Sequence, residues 1–120
     1  MDFVCLIYQG TTPLPSDPER WATLSEDEQQ AIYRDYRALN ATEGLTPGPP
    51  LGLPADATTV RVVDGEAVTT DGPVIGTDAA VGGYFVLQAD DLAGAVAVAA
   101  TVPAARLGGA IEIRPCATYW

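Results

Sequence analysis

Asp71-Gly72-Pro73-Val74, followed by Gly82-Gly83-Tyr84 and, near the end of the chain, Glu112-Ile113-Arg114-Pro115, sets out the fold. Each cluster of turn residues feeds or ends an apolar, strand-like run. Just upstream, residues 59–63 and 67–70 flank Asp64-Gly65, the two-residue signal of a type I′ hairpin. Thr59, Val60, Val62, Val63, Val68, Thr69 and Thr70 are β-branched and suit strands. Asp71-Gly72-Pro73 ends the second of these strands sharply. Residues 84–87 form the next strand after Gly82-Gly83, and residues 110–114 form a last one, terminated by Pro115.

Working outward, residues 3–8 make an unbroken apolar run that suits a strand covered on both faces. Gly10, Pro13, Pro15 and Pro18 make residues 9–19 an irregular loop, with Trp21 pinning its far end to the core. A helix starts at Ser25, where Glu28 completes a capping box and Ile32, Tyr36 and Leu39 give one buried stripe. Pro47, Gly48, Pro49, Pro50, Gly52 and Pro54 make residues 44–54 a surface loop, long enough to wall or cover a pocket. Residues 74–80 carry no decisive period. Asp90 or Asp91 caps a second helix, with Leu92, Ala95, Val96 and Ala99 at helical spacing and an end near Pro103.

The order is therefore β, α, β-hairpin, β, α, β, an α+β domain in one antiparallel sheet with two helices on one face. Two strands are nonetheless apolar on both faces. Their uncovered side calls for a partner, and a second copy of the same sheet is the simplest one, giving a twofold homodimer.

The chain has 120 residues, enough for one domain spanning residues 1–120. Sixteen acidic residues against six basic ones, all arginine, leave a formal charge of −10. Such a surface repels phosphate backbones and anionic lipid, so neither nucleic acid nor membrane is an expected partner. Cys5 and Cys116 do not make a disulfide framework and read as reduced thiols, Cys5 as a small buried hydrophobe. Antiparallel pairing of the first and last strands would bring the two near one another. The start lacks the basic region of a signal peptide, and no run approaches the length of a membrane span, so a cytoplasmic location is expected.

The chain resembles the DGPF, or YCII-related, proteins over nearly its whole length. The pieces that carry the resemblance are Leu6-Ile7-Tyr8, Ala57-Thr58-Thr59-Val60-Arg61, Thr70-Asp71-Gly72-Pro73, Gly82-Gly83-Tyr84, Pro103-Ala104-Ala105 and Glu112-Ile113-Arg114-Pro115. The resemblance implies a ferredoxin-like βαββ(β)αβ domain that dimerises as an α+β barrel. Val74 stands where the family's name has phenylalanine, and the histidine of a histidine–aspartate pair proposed for some members has no counterpart, because the chain contains no histidine.

Asp71 is the candidate acid or base, a carboxylate at a strand end beside a rigid turn; the competing reading has it bonding backbone N–H groups of that turn. Tyr8 and Tyr84 could orient a carbonyl or enolate, or be core aromatics with satisfied hydroxyls. Arg114 and Arg61 could bind a substrate carboxylate, although Arg114 has Glu112 as a nearby ion-pair partner. Gly82-Gly83 opens no helix and marks a close approach rather than a phosphate cradle. Asp71, Asp78, Asp90 and Asp91 match no established metal loop, so no metal and no cofactor is expected. Two functions follow: a cytosolic homodimer binding a small molecule between sheet and loops, as a cofactor-free lyase or isomerase, or a non-catalytic accessory protein. The resemblance favours for the latter an association with an alternative sigma factor.

Overall fold

The computed structural model describes residues 1–49, 51–76 and 79–119. Strand β1 (Asp2–Tyr8) lies at the centre of a four-stranded antiparallel sheet, between β5 (Val81–Gln88) and β6 (Ala110–Pro115). A short strand β2 (Leu45–Pro47) pairs with the outer side of β5, so the order is β2-β5-β1-β6. Helix α2 (Glu26–Asn40) carries the chain from β1 to β2 across the intervening β5, and α3 (Leu92–Ala99) carries it from β5 to β6 across β1. Two such interleaved β-α-β units are the ferredoxin-like α+β arrangement.

One side of the sheet is the core. Phe3, Cys5 and Ile7 alternate along β1 with Phe85 and Leu87 of β5, and pack against Leu39, Ala95, Val102 and Ala104. Helix α2 forms where its cap dictates: the Ser25 hydroxyl accepts from the Glu28 N–H at 3.1 Å while the Ser25 N–H donates to Glu28 Oε1 at 3.2 Å. Ile32 and Leu39 are buried and Tyr36 half-buried, the expected stripe. Asp91 caps α3, accepting from the Gly94 N–H at 2.8 Å. The helix forms where the spacing of Leu92, Ala95, Val96 and Ala99 puts it. Leu92 and Val96 are exposed, and Ala95 and Ala99 are the buried contacts, because an alanine face lets this apolar helix lie close to the sheet.

Two short helices go beyond the elements read from the sequence. Within and beyond the 9–19 loop, α1 (Pro18–Trp21) is capped by Asp17, and Trp21 meets the Tyr33 ring edge-on at 5.5 Å. Beyond α3, α4 (Pro103–Arg106) begins on its proline, and Arg106 bonds Asp35 of α2 at 2.6 Å.

The largest correction concerns the sheet. The hairpin of β3 (Thr58–Val63) and β4 (Glu66–Asp71) forms as expected, with φ of 52° at Asp64 and 80° at Gly65 as a type I′ turn requires. It is a separate two-stranded sheet, however, and not part of the main one. The fourth place beside β5 is taken by β2, from the segment whose prolines argued for a loop. Pro47 is tolerated there because β2 is an edge strand, where a missing N–H leaves no ladder position empty on a second side.

The hairpin is anchored at its foot, where the buried Thr59 hydroxyl donates to the Gly72 carbonyl at 2.8 Å and the Gly72 N–H donates to Ala57 at 2.7 Å. Its valines lie in water: Val60 and Val62 are 60% and 72% exposed. The main sheet's second face is also uncovered within one copy. Strand alternation places Val4, Leu6 and Tyr8 of β1 there, with Tyr84 and Val86 of β5 beside Leu6 and Val4.

Candidate functional site

A cavity of about 460 Å³ opens where four segments meet. The C-terminal half of α2 contributes Tyr36, Leu39 and Asn40, and the loop after β1 contributes Gln9 and Leu14. Pro47, Gly48, Pro49 and Leu51 form the opposite wall, and Gly82, Gly83 and Tyr84 at the start of β5 form the floor. The proline-rich segment is thus a pocket wall, as its length led one to expect.

Local sequence explains the shape. The register between β1 and β5 slips between Ile7 and Tyr8, which pair with Gly83 and Val81, leaving Gly82 unpaired in a bulge. Gln9 lies directly over Gly82: a Cβ at that position would collide with Gln9 Cγ and stand 3.3 Å from its amide. Gly48 likewise lies against the Tyr84 ring, where a Cβ would come within 2.7 Å. Gly82 of the glycine pair therefore does mark a close approach, and its partner is the Gln9 side chain.

Burial pushes the Tyr36 hydroxyl above its ordinary pKa, while a hydrogen bond from the Gln9 side chain and the positive charge of Arg106 pull it part of the way back. Gln9 Oε1 and the Thr12 hydroxyl are buried without any hydrogen-bond partner. Beside the main chamber, sharing Gln9, Leu14 and Gly82 with it, is a second cavity of about 400 Å³. Thr12 lines this second chamber, with the Asp17–Arg20 ion pair among its other walls.

Of the residues singled out from sequence, Tyr84 lines the main chamber. Tyr8, Tyr84 and Arg114 share the sheet's open face, with Arg114 opposite Val4 and bonded to Glu112 at 2.7 Å. That ion pair is the structural role weighed against anion binding. Arg61 is exposed in β3 opposite Val68. Asp71 ends β4 opposite Thr58, exposed and with no hydrogen-bond or ion-pair partner for its carboxylate among the described residues. It lines neither of the two chambers, although Pro73 lines a further apolar cavity of about 400 Å³ with Val74 and Ile75.

Asp91 is occupied as a helix cap, and Asp78 lies outside the described residues. Among the described residues no three His, Cys, Asp or Glu side chains gather as metal ligands would. Cys5 is buried and Cys116 exposed, both free. The first and last strands do pair antiparallel, but Cys5 faces Ile113 and the Cys116 N–H bonds Asp2. The thiols stand three registers apart, roughly 10 Å along the strand. Burial raises the pKa of Cys5.

Sequence reading missed Gln9, Thr12 and Tyr36 as a group. Gln9 and Thr12 lay in a loop with no periodicity, and Tyr36 was absorbed into the helix stripe. The signal present was Gly82-Gly83, which announces that something must lie on that strand without saying what.

Among the described residues no helix is long and apolar enough to cross a membrane. No curated protein matches the chain. The resemblance first carried by six short motifs extends from end to end: the family model described as the YCII-related domain matches residues 1–118, and the chain belongs to the YCII-related family.

Proposed function

We propose that this chain is a small-molecule-binding protein that works as a pair, the ligand lying between β5, the end of α2 and the proline-rich segment. The observation that carries the reading is the chamber of about 460 Å³, walled mainly by apolar groups with a few convergent polar ones. Volume and lining are those of small-molecule sites. Tyr84 orients the bound molecule through its hydroxyl. A fragment screen read by amide shifts tests this: hits should move Gly48, Gly82 and Gly83, and Tyr84→Ala should weaken them. Hits confined to other surfaces overturn it.

Pairing is supported by shape. The chain measures 52 × 41 × 19 Å with a radius of gyration of 16.2 Å, against about 13.6 Å for a compact chain of this length. A slab of one sheet and one helix layer leaves Val4, Leu6, Tyr84 and Val86 wet unless a third layer covers them, and a second copy supplies that layer by twofold symmetry. The 12.5 kDa chain should sediment at twice its mass, and Val86→Arg should reduce it to one copy.

The chamber's ionisable groups are Tyr36 and Tyr84, and no carboxylate lines it among the described residues. Binding therefore suits it better than proton transfer. A cofactor-free lyase or isomerase would draw its acid or base from Asp71, with Tyr8 as a second orienting hydroxyl and Arg61 and Arg114 as anion anchors. In that case Asp71→Asn should abolish turnover of any substrate found. The exposed Glu26, Asp27 and Glu28 at the start of α2, with the net charge of −10, favour a second reading. It is an accessory protein whose acidic helix end meets a basic regulator, such as one bound to an alternative sigma factor. Pull-downs in which Glu26→Lys with Asp27→Lys changes nothing count against it.

A further inference from the structure

In a chain carrying 22 charged residues, the main chamber is lined by none among the described residues. An ionised ligand would leave its water shell there and find no opposite charge, and the −10 surface around it repels anions further. What the walls do offer is hydrogen bonding of a particular kind. Tyr36 has an O–H to give. Gln9 has a side-chain oxygen, Oε1, with nothing to accept from, and Thr12, 5% exposed, has an unpartnered hydroxyl on the adjoining chamber.

A buried polar atom left unpaired is unfavourable, and native structures leave few of them. Here there are two, on residues whose backbones are tied by the hydrogen bond from the Thr12 N–H to the Gln9 main-chain carbonyl at 2.9 Å. Gln9 Oε1 is sealed from solvent as it stands. Turning the amide toward the chamber sacrifices no bond to that oxygen, since it has none, and gives up only the bond from the Gln9 amide to Tyr36. Gly82 beneath it leaves the room.

Building on the small-molecule reading above, we propose that the chamber takes an uncharged, ring-sized molecule bearing a group that both gives and accepts hydrogen bonds, such as a primary amide. Tyr36 donates to its acceptor and Gln9 Oε1 accepts from its donor. Apolar contact with Leu14, Leu39 and the Pro47 and Pro49 rings holds the ring, and the Gln9–Tyr36 pair selects the polar group.

Three probes of nearly one shape separate these elements: benzamide, neutral with donor and acceptor; acetophenone, neutral with acceptor only; and benzoate, anionic. Their dissociation constants are measured by NMR titration of the intact protein, following the Gly82 and Gly83 amides. Benzamide should bind best, acetophenone about fivefold to tenfold more weakly through the lost donor, and benzoate at least tenfold more weakly. Gln9→Leu should bring benzamide down to the level of acetophenone while leaving acetophenone itself unchanged. Tyr36→Phe, which keeps the ring and should fold, weakens both neutral probes. Benzoate binding as well as benzamide overturns the assignment of an uncharged ligand while leaving the cleft a binding site. Equal binding of benzamide and acetophenone overturns the role of Gln9. If none of the three moves the cleft amides, both this assignment and the small-molecule reading fall.

Discussion

Replacing Gly82 by alanine should reveal how tightly the floor of the cleft and the Gln9 side chain are coupled. Gly82 is unpaired in the β1–β5 bulge and does not occupy the left-handed region, so its backbone accepts alanine without strain. By restricting the unfolded chain, the change alone should stabilise by about 0.4–1 kcal/mol. The new Cβ collides with Gln9 Cγ, however, and Gln9 must leave. Its displacement loses the hydrogen bond to Tyr36, worth about 0.5–1.5 kcal/mol, and forces a poorer rotamer at a similar cost of about 0.5–1.5 kcal/mol.

Gly82→Ala should therefore be neutral to destabilising in the natural sequence, by roughly 0–2.5 kcal/mol, and stabilising once Gln9 is already alanine. The difference between the backgrounds, about 1–3 kcal/mol, is the coupling energy of the pair. Urea denaturation of the four proteins measures it directly. If Gly82→Ala changes stability by the same amount with and without the Gln9 side chain, Gln9 does not rest on Gly82 and the architecture described for the cleft is wrong.

Three further expectations concern the helix cap, the buried phenol and the thiols. Ser25→Ala removes the hydroxyl half of the α2 capping box and should cost about 1 kcal/mol in urea unfolding, with Ser25→Asp recovering most of it. Because burial holds the Tyr36 hydroxyl protonated above its ordinary pKa of 10.0, the unfolded chain releases that proton first. Stability should then be intact below about pH 10 and fall as pH rises further; Tyr36→Phe should flatten the decline, and an unchanged slope refutes the assignment. In the native protein the exposed Cys116 should react with a thiol reagent at once, and Cys5, buried and with raised pKa, only as the chain unfolds; two fast thiols contradict the packing of β1.

What was legible in the sequence was local. The capping box, the Asp64-Gly65 turn and the strand begun by the apolar run at residues 3–8 each depend on neighbours within a few residues, and each is present. The placement of the hairpin was not legible, because which strand lies beside β5 is settled by competition between distant segments. Leu45-Thr46-Pro47 wins that position with only three residues and a proline, against β-branched strands with higher propensity. The helical spacing of Leu92, Ala95, Val96 and Ala99 revealed α3 but not its buried face, where the sheet admits the smaller Ala95 and Ala99. At the site, Tyr84 was visible from its place after the glycine pair. Gln9 and Thr12 were not, since a polar residue in an irregular loop declares its burial only once the loop has folded over something.

The two rims of the four-stranded sheet carry one more implication. On one side β2 is three residues long and ends in Pro47, which has no N–H to offer an incoming strand. On the other, β6 closes with Pro115 after the Glu112–Arg114 ion pair. Blunt, charged or proline-tipped margins discourage sideways extension into a longer ribbon. Open-ended growth into a fibre, edge joined to edge, is thereby disfavoured at both rims.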